Sequence, residues 1–127
     1  MMFKLIQITV ILNLIACGLL PQSWTRKDYF GPDDLKSDGP VIQIKALRQF
    51  VEEKKTDYIA YIIPLLNDED ITVRTQAYWA LKNLIPKYVK YPKYNPNNHE
   101  ELRLKSIKKW NTWWSANKDE NWAKTHE

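Results

Sequence analysis

The stretch "IPLLNDEDITVRTQAYWALKNL", residues 63–84, decides the fold. It opens apolar, passes through an acidic turn at Asp68, Glu69 and Asp70, and then places Val73, Ala77, Ala80, Leu81 and Leu84 at intervals of three and four. Those intervals put side chains on one face of a helix. Asp70 stands where a side-chain oxygen can accept the free amides of the first helical turn. Immediately upstream, "TDYIAYIIPLLND" (residues 56–68) reads as a helix of about ten residues, apolar on most sides through Tyr58, Ile59, Ile62, Ile63, Leu65 and Leu66. Pro64 lies inside it and removes one backbone donor, so the helix should bend there. Two helices around a tight turn make an αα-hairpin.

The pattern occurs twice. "LKSDGPVIQIKALRQF" (residues 35–50) aligns with "LNDEDITVRTQAYWAL" (residues 66–81) at an offset of 31 residues. Leu35 falls on Leu66, Gly39 on Asp70, Ile42 on Val73, Ala46 on Ala77 and Phe50 on Leu81. In the first copy Gly39 precedes Pro40, a residue suited to the first helical position because it needs no amide proton there. Ile42, Ala46, Leu47, Phe50 and Val51 form the expected buried stripe.

These residues resemble a HEAT repeat of the short bacterial type: a Leu-rich first helix ending in "IPLL", an Asp-rich turn, then "VR..A..AL". Here the pattern is carried by Ile63, Pro64, Leu65, Leu66, Asp68, Asp70, Val73, Arg74, Ala77, Ala80 and Leu81. The earlier copy has Ile42 and Gln43 in place of "VR". The resemblance covers about half of the chain beyond its N-terminal apolar segment. It implies an all-α fold of antiparallel helical hairpins, a short HEAT-like solenoid, and gives Asp70 and Arg74 a structural role between repeats. Such scaffolds serve many uses, so the resemblance implies no activity.

Repeat arrays bury their cores between neighbours and need closed ends. The last segment is the available cover for the Val73–Leu84 face. After a connector rich in Pro, Tyr, Asn and Lys, a helix is expected from about residue 100 to 117, capped by Asn98, with Glu100 and Glu101 favourable in its first turn. Leu102, Ile107, Trp110, Trp113 and Trp114 supply its apolar side, and small bacterial HEAT-like proteins often end in a similar helix with "W..WW". Trp110, Trp113 and Trp114 are therefore assigned to closing the core. Trp122, beyond the helix, is the tryptophan left free to bind.

At the other end, Lys4 precedes an apolar run over residues 5–16, and small residues follow. That is the layout of an export signal, and it falls short of the roughly 18–20 apolar residues of a membrane span. "LIAC" (Leu14, Ile15, Ala16, Cys17) resembles the lipobox of bacterial lipoproteins. The resemblance implies cleavage before Cys17, lipidation of its thiol, and an exported protein of the bacterial cell envelope anchored to a membrane. Cys17 is the sole cysteine, so lipidation would also remove an unpaired thiol. An ordinary signal cut after Gly18, a buried apolar start and a retained anchor are the alternatives. The expected layout is a signal over residues 1–16, a lipidated tether over 17–34, repeats over 35–86, a connector over 87–98, and a final helix and tail over 99–127.

The formal net charge is +4, and basic residues thicken toward the tail at Lys87, Lys90, Lys93, Arg103, Lys105, Lys108 and Lys109. In an exported chain such a charge suits anionic lipid head groups or wall polymers better than nucleic acid; a solvated helix face is the plain alternative.

No catalytic constellation is legible. "HEELR" at His99 has Arg103 where a zinc helix needs its second histidine. "DLKSDG" at residues 34–39 has Lys36 at a ligand position and Lys45 where a calcium loop places its bidentate Glu. With three glycines there is no phosphate loop. The expectation is a non-enzymatic protein without metal or cofactor that binds another envelope protein. The surface expected for that partner is the flank of the second helices, through Arg48, Gln49, Tyr78, Trp79 and Lys82. The alternative is a glycan- or lipid-head-group-binding surface built from Tyr88, Tyr91 and Tyr94, which recur every third residue and would align in an extended strand, together with Trp122.

Overall fold

The computed structural model describes residues 29–124. Four α-helices lie among them: α1 (Pro40–Glu52), α2 (Ile59–Ile62), α3 (Ile71–Leu84) and α4 (Glu100–Asn117), the first three linked through short 3-10 turns and the last reached by an irregular connector, with no strand among the described residues. The domain is therefore all-α. The segment expected to be an export signal and Cys17 lie outside the described residues.

α1 and α3 begin 31 residues apart, at Pro40 and Ile71, as the internal repeat requires. Asp70 caps α3, its Oδ1 accepting the Thr72 amide at 2.7 Å. α1 has Gly39 at the cap and Pro40 in its first turn, with no side-chain cap bond. At its far end Lys54 adopts a left-handed backbone (φ 54°). The Lys54 and Lys55 amides bond back to Val51 and Phe50 at 3.1 and 2.9 Å. This paired closure usually places glycine at the left-handed position, and a lysine there costs about 1 kcal/mol.

The bend expected at Pro64 takes the form of a change of winding. α2 lasts four residues, and the chain then tightens into a 3-10 turn, Ile63–Asn67, with the proline in its first turn. Ile59, Ile62, Ile63 and Leu66 are all fully buried. α1 packs on α3, while the Ile63–Asn67 turn lies against both α3 and α4. Ala46, Leu47, Phe50, Val73, Ala77, Ala80 and Leu81 complete the apolar core, each large side chain contributing about 1.5–3 kcal/mol on burial.

Three expectations are corrected. Ile42 is 40% exposed, and Gln43 is buried in its place. Gln43 can be buried because its Nε2 donates to the Leu35 carbonyl at 2.9 Å and to Asp68 Oδ2 at 3.3 Å. Leu102 is 38% exposed, so the inner side of α4 starts later, at Ile107 and Trp110. Asn98 does not cap α4: His99 holds the cap position without a side-chain bond, and the Asn98 carbonyl instead accepts from Arg103 Nη1 at 2.7 Å.

A common device anchors three helix starts. The fourth residue of α1, α3 and α4 is Gln43, Arg74 and Arg103, and each donates into the turn before its helix. Arg74 Nη1 bonds the carbonyls of Asp68 (2.7 Å) and Glu69 (3.1 Å), and its Nε bonds Pro96 at 3.0 Å. Arg103 Nε also reaches Asn67 Oδ1 at 3.0 Å. Asp70 and Arg74 thus order the turn and tie it to the connector.

Candidate functional site

The connector after α3 has few backbone bonds of its own, so its side chains fix its path. The Tyr94 hydroxyl donates to the Leu66 carbonyl. Tyr91 stacks on Trp110 with centroids 5.6 Å apart, and the Lys90 carbonyl accepts from Trp113 Nε1 at 2.7 Å. With Asn98 held by Arg103, residues 90–98 run back along α4 from Trp113 to Arg103.

This geometry separates the three tyrosines that an extended strand would align. Tyr88 is 80% exposed, Tyr91 is half-buried on Trp110, and Tyr94 is buried with its hydroxyl inward. Burial raises the Tyr94 pKa above its ordinary value, against the lowering pull of Arg74 and Arg103. Tyr78 is raised too, by burial first and then by the neighbouring Tyr91 phenol. Trp122 is likewise not free: its ring lies 5.9 Å from Trp113 and 6.3 Å from Trp114. Trp110, fully buried, joins Tyr78 and Trp113 edge-on at 6.4 and 5.4 Å. The signal for Trp122 was weak because it lies among charged residues beyond the helix.

The candidate partner residues divide in the same way. Tyr78 is half-buried, in edge contact with Tyr94 and Trp110 and covered by Lys82 Nζ, 4.7 Å from its ring centre. Gln49 is engaged within the chain, its Oε1 accepting the Phe30 amide at 3.0 Å and its Nε2 donating to the Phe30 carbonyl at 3.1 Å. Arg48 and Trp79 remain outward, Trp79 at 37% exposure, and they occupy equivalent positions 31 residues apart on α1 and α3. Sequence reading missed the clamp on Phe30 and the buried Gln43. The recurring fourth helix position could have flagged the latter.

A cavity of about 380 Å³ opens between the end of α1 and the tail, walled by Thr56, Asn83, Leu84, Pro86 and Trp122. Glu53, Lys54 and Lys124 stand at it, a mixed set with no base-and-nucleophile pair. Among the described residues no group of three His, Cys, Asp or Glu side chains could hold a metal ion, and no helix is long and apolar enough to cross a membrane. The chain matches no family model, no curated protein and no solved structure in the comparisons made.

Proposed function

We propose that this chain is a non-enzymatic envelope lipoprotein, anchored through Cys17, whose helical domain is a short HEAT-like stack closed by the Trp-rich α4 and serves as a protein-binding or scaffolding module. The supporting observation is the pairing of equivalent, outward positions on α1 and α3, Arg48 and Trp79, with Lys82 one turn further along α3. An indole and two cations beside an otherwise polar flank suit a protein partner, since Trp and Arg are the residues that most often carry interface energy. The alternative, a ligand surface of aromatic rings, is supported by Tyr88 alone among its three tyrosines, since Tyr91 and Tyr94 are packed.

The test is crosslinking from intact cells, comparing the wild type with Trp79→Ala and Arg48→Ala chains whose melting temperatures match it. Loss of the same crosslinked partner in both variants supports the assignment; unchanged capture by both removes it. Fatty-acid labelling that disappears with Cys17→Ser is the expected result for the anchor, and an unlabelled wild type ends that part of the reading.

A further inference from the structure

Charge is divided along this chain. Residues 33–70 carry nine acidic and five basic side chains, whereas residues 71–124 carry eleven basic and four acidic ones, the four acids (Glu100, Glu101, Asp119 and Glu120) standing at the two ends of α4. The fold brings the basic stretches of the connector and of α4 side by side, because the connector runs back along α4: Lys90 is bonded at Trp113, Tyr91 stacks on Trp110, and Asn98 is held by Arg103. Lys87, Lys90, Lys93, Lys108 and Lys109 are all exposed and make no ion pair among the described residues; Lys105 pairs with Glu101 at 3.4 Å.

Two further features single out the kind of surface that fits. First, the guanidinium groups of this region are engaged inside the protein, Arg74 on three carbonyls and Arg103 on Asn67 and Asn98. What faces outward is therefore lysine, a mobile point charge without the planar fork that reads a base or a defined phosphate geometry. Second, Lys108 and Lys109 border a shallow apolar hollow of about 390 Å³ with Thr112 and Trp113. Trp113 has its N–H already satisfied by Lys90, and Tyr88 stands 80% exposed on the same connector. Lysines flanked by amphipathic rings match the boundary between lipid head groups and acyl chains.

We propose that the face made by α4 and the 87–93 connector docks on a membrane surface through anionic lipid head groups, with Lys87, Lys90, Lys93, Lys108 and Lys109 supplying the charge and Tyr88 and Trp113 seated at the interface. This docking does not depend on lipidation of Cys17. It would lay the domain on the bilayer with the acidic half turned away.

The experiment is vesicle co-sedimentation of the full chain carrying Cys17→Ser, with phosphatidylglycerol-containing vesicles and with vesicles of phosphatidylcholine alone. The neutral vesicles register any adsorption by the apolar N-terminal run, so the ratio of the two is the reading. Binding should favour the anionic vesicles and weaken as salt rises. Lys108→Gln with Lys109→Gln should lower the anionic partition about 25-fold, at about fivefold per lysine. The pair Lys36→Gln and Lys45→Gln, both exposed in the acidic half, should leave it unchanged. Equal binding to both vesicles, no binding at low salt, or equal losses in the two double variants each overturns the proposal. So does retention on duplex DNA or a soluble polyphosphate with no retention on the anionic vesicles.

Discussion

Between α1 and α3 the core is mainly aliphatic, with Ala46, Leu47, Ala77 and Leu81 fully buried beside the single ring of Phe50, whereas beneath α4 it is aromatic, with Trp110 stacked on Tyr91 and edged by Tyr78 and Trp113. The contrast follows from what each end must do. α1 and α3 begin 31 residues apart and satisfy their own backbones, so apolar side chains without polar tips can fill the space between them. α4 instead meets an irregular connector. Large rings fill that less regular volume, and their polar tips take up loop carbonyls: Tyr94 on Leu66, Trp113 on Lys90. The cost is visible at Trp110, whose Nε1 is buried with no hydrogen-bond partner among the described residues.

Trp110→Ala is the largest break available in this contrast. It should destabilise the domain by about 3–5 kcal/mol, at the upper end of the roughly 2–5 kcal/mol expected of Leu47→Ala in the aliphatic half. Urea titration measures both. A loss under 1 kcal/mol for Trp110→Ala would mean that the aromatic end does not support the core. Amide exchange should further separate the two variants, because removal of Trp110 frees the connector while removal of Leu47 does not touch it.

Tyr94→Phe tests the polar tips. It keeps the ring but orphans the Leu66 carbonyl, so about 1–3 kcal/mol should be lost. If the variant is as stable as the wild type, the hydroxyl is dispensable and the ring alone positions the connector.

Alkaline pH gives the smallest and most specific effect. Tyr78 and Tyr94 both have pKa values raised by burial, so the folded state holds their protons more tightly than the unfolded chain does. Their contribution is complete below the ordinary tyrosine pKa of about 10 and is lost as pH rises through the folded values. The melting temperature should therefore fall above about pH 10, and the fall should be shallower in Tyr94→Phe. Identical slopes in the two proteins would detach Tyr94 from the effect.

Much of this was legible in the sequence. The acidic turn and the apolar intervals mark α3, and the predicted limits of α4, residues 100–117, are those observed. These features are local, set by caps and helical period. What escaped was long-range. Gln43 is buried because a turn 25 residues away brings Asp68 to its amide, whereas its neighbour Ile42 has no such partner and stays exposed. Tyr94 turns inward because a carbonyl 28 residues earlier lies open to it. The candidate site was less legible still. Gln49 and Tyr78 look like surface residues by helical position, yet Phe30 ahead of α1 and the connector after α3, segments with no period, cover them.

The tryptophan cluster also shapes how this protein will look to a spectroscopist. Trp110, Trp113, Trp114 and Trp122 form a chain of ring contacts at 5.4 to 6.3 Å. Indoles this close share excitation, so their circular dichroism bands overlap the peptide signal and distort helix content read from the far ultraviolet. The same coupling funnels excitation among the four rings, while Trp79 emits from a more exposed setting on α3. With Trp24, the sixth tryptophan, replaced by Phe, quenching by iodide or acrylamide should therefore resolve two populations of emitters, giving the α3 flank and the α4 face separate optical reporters without an added label.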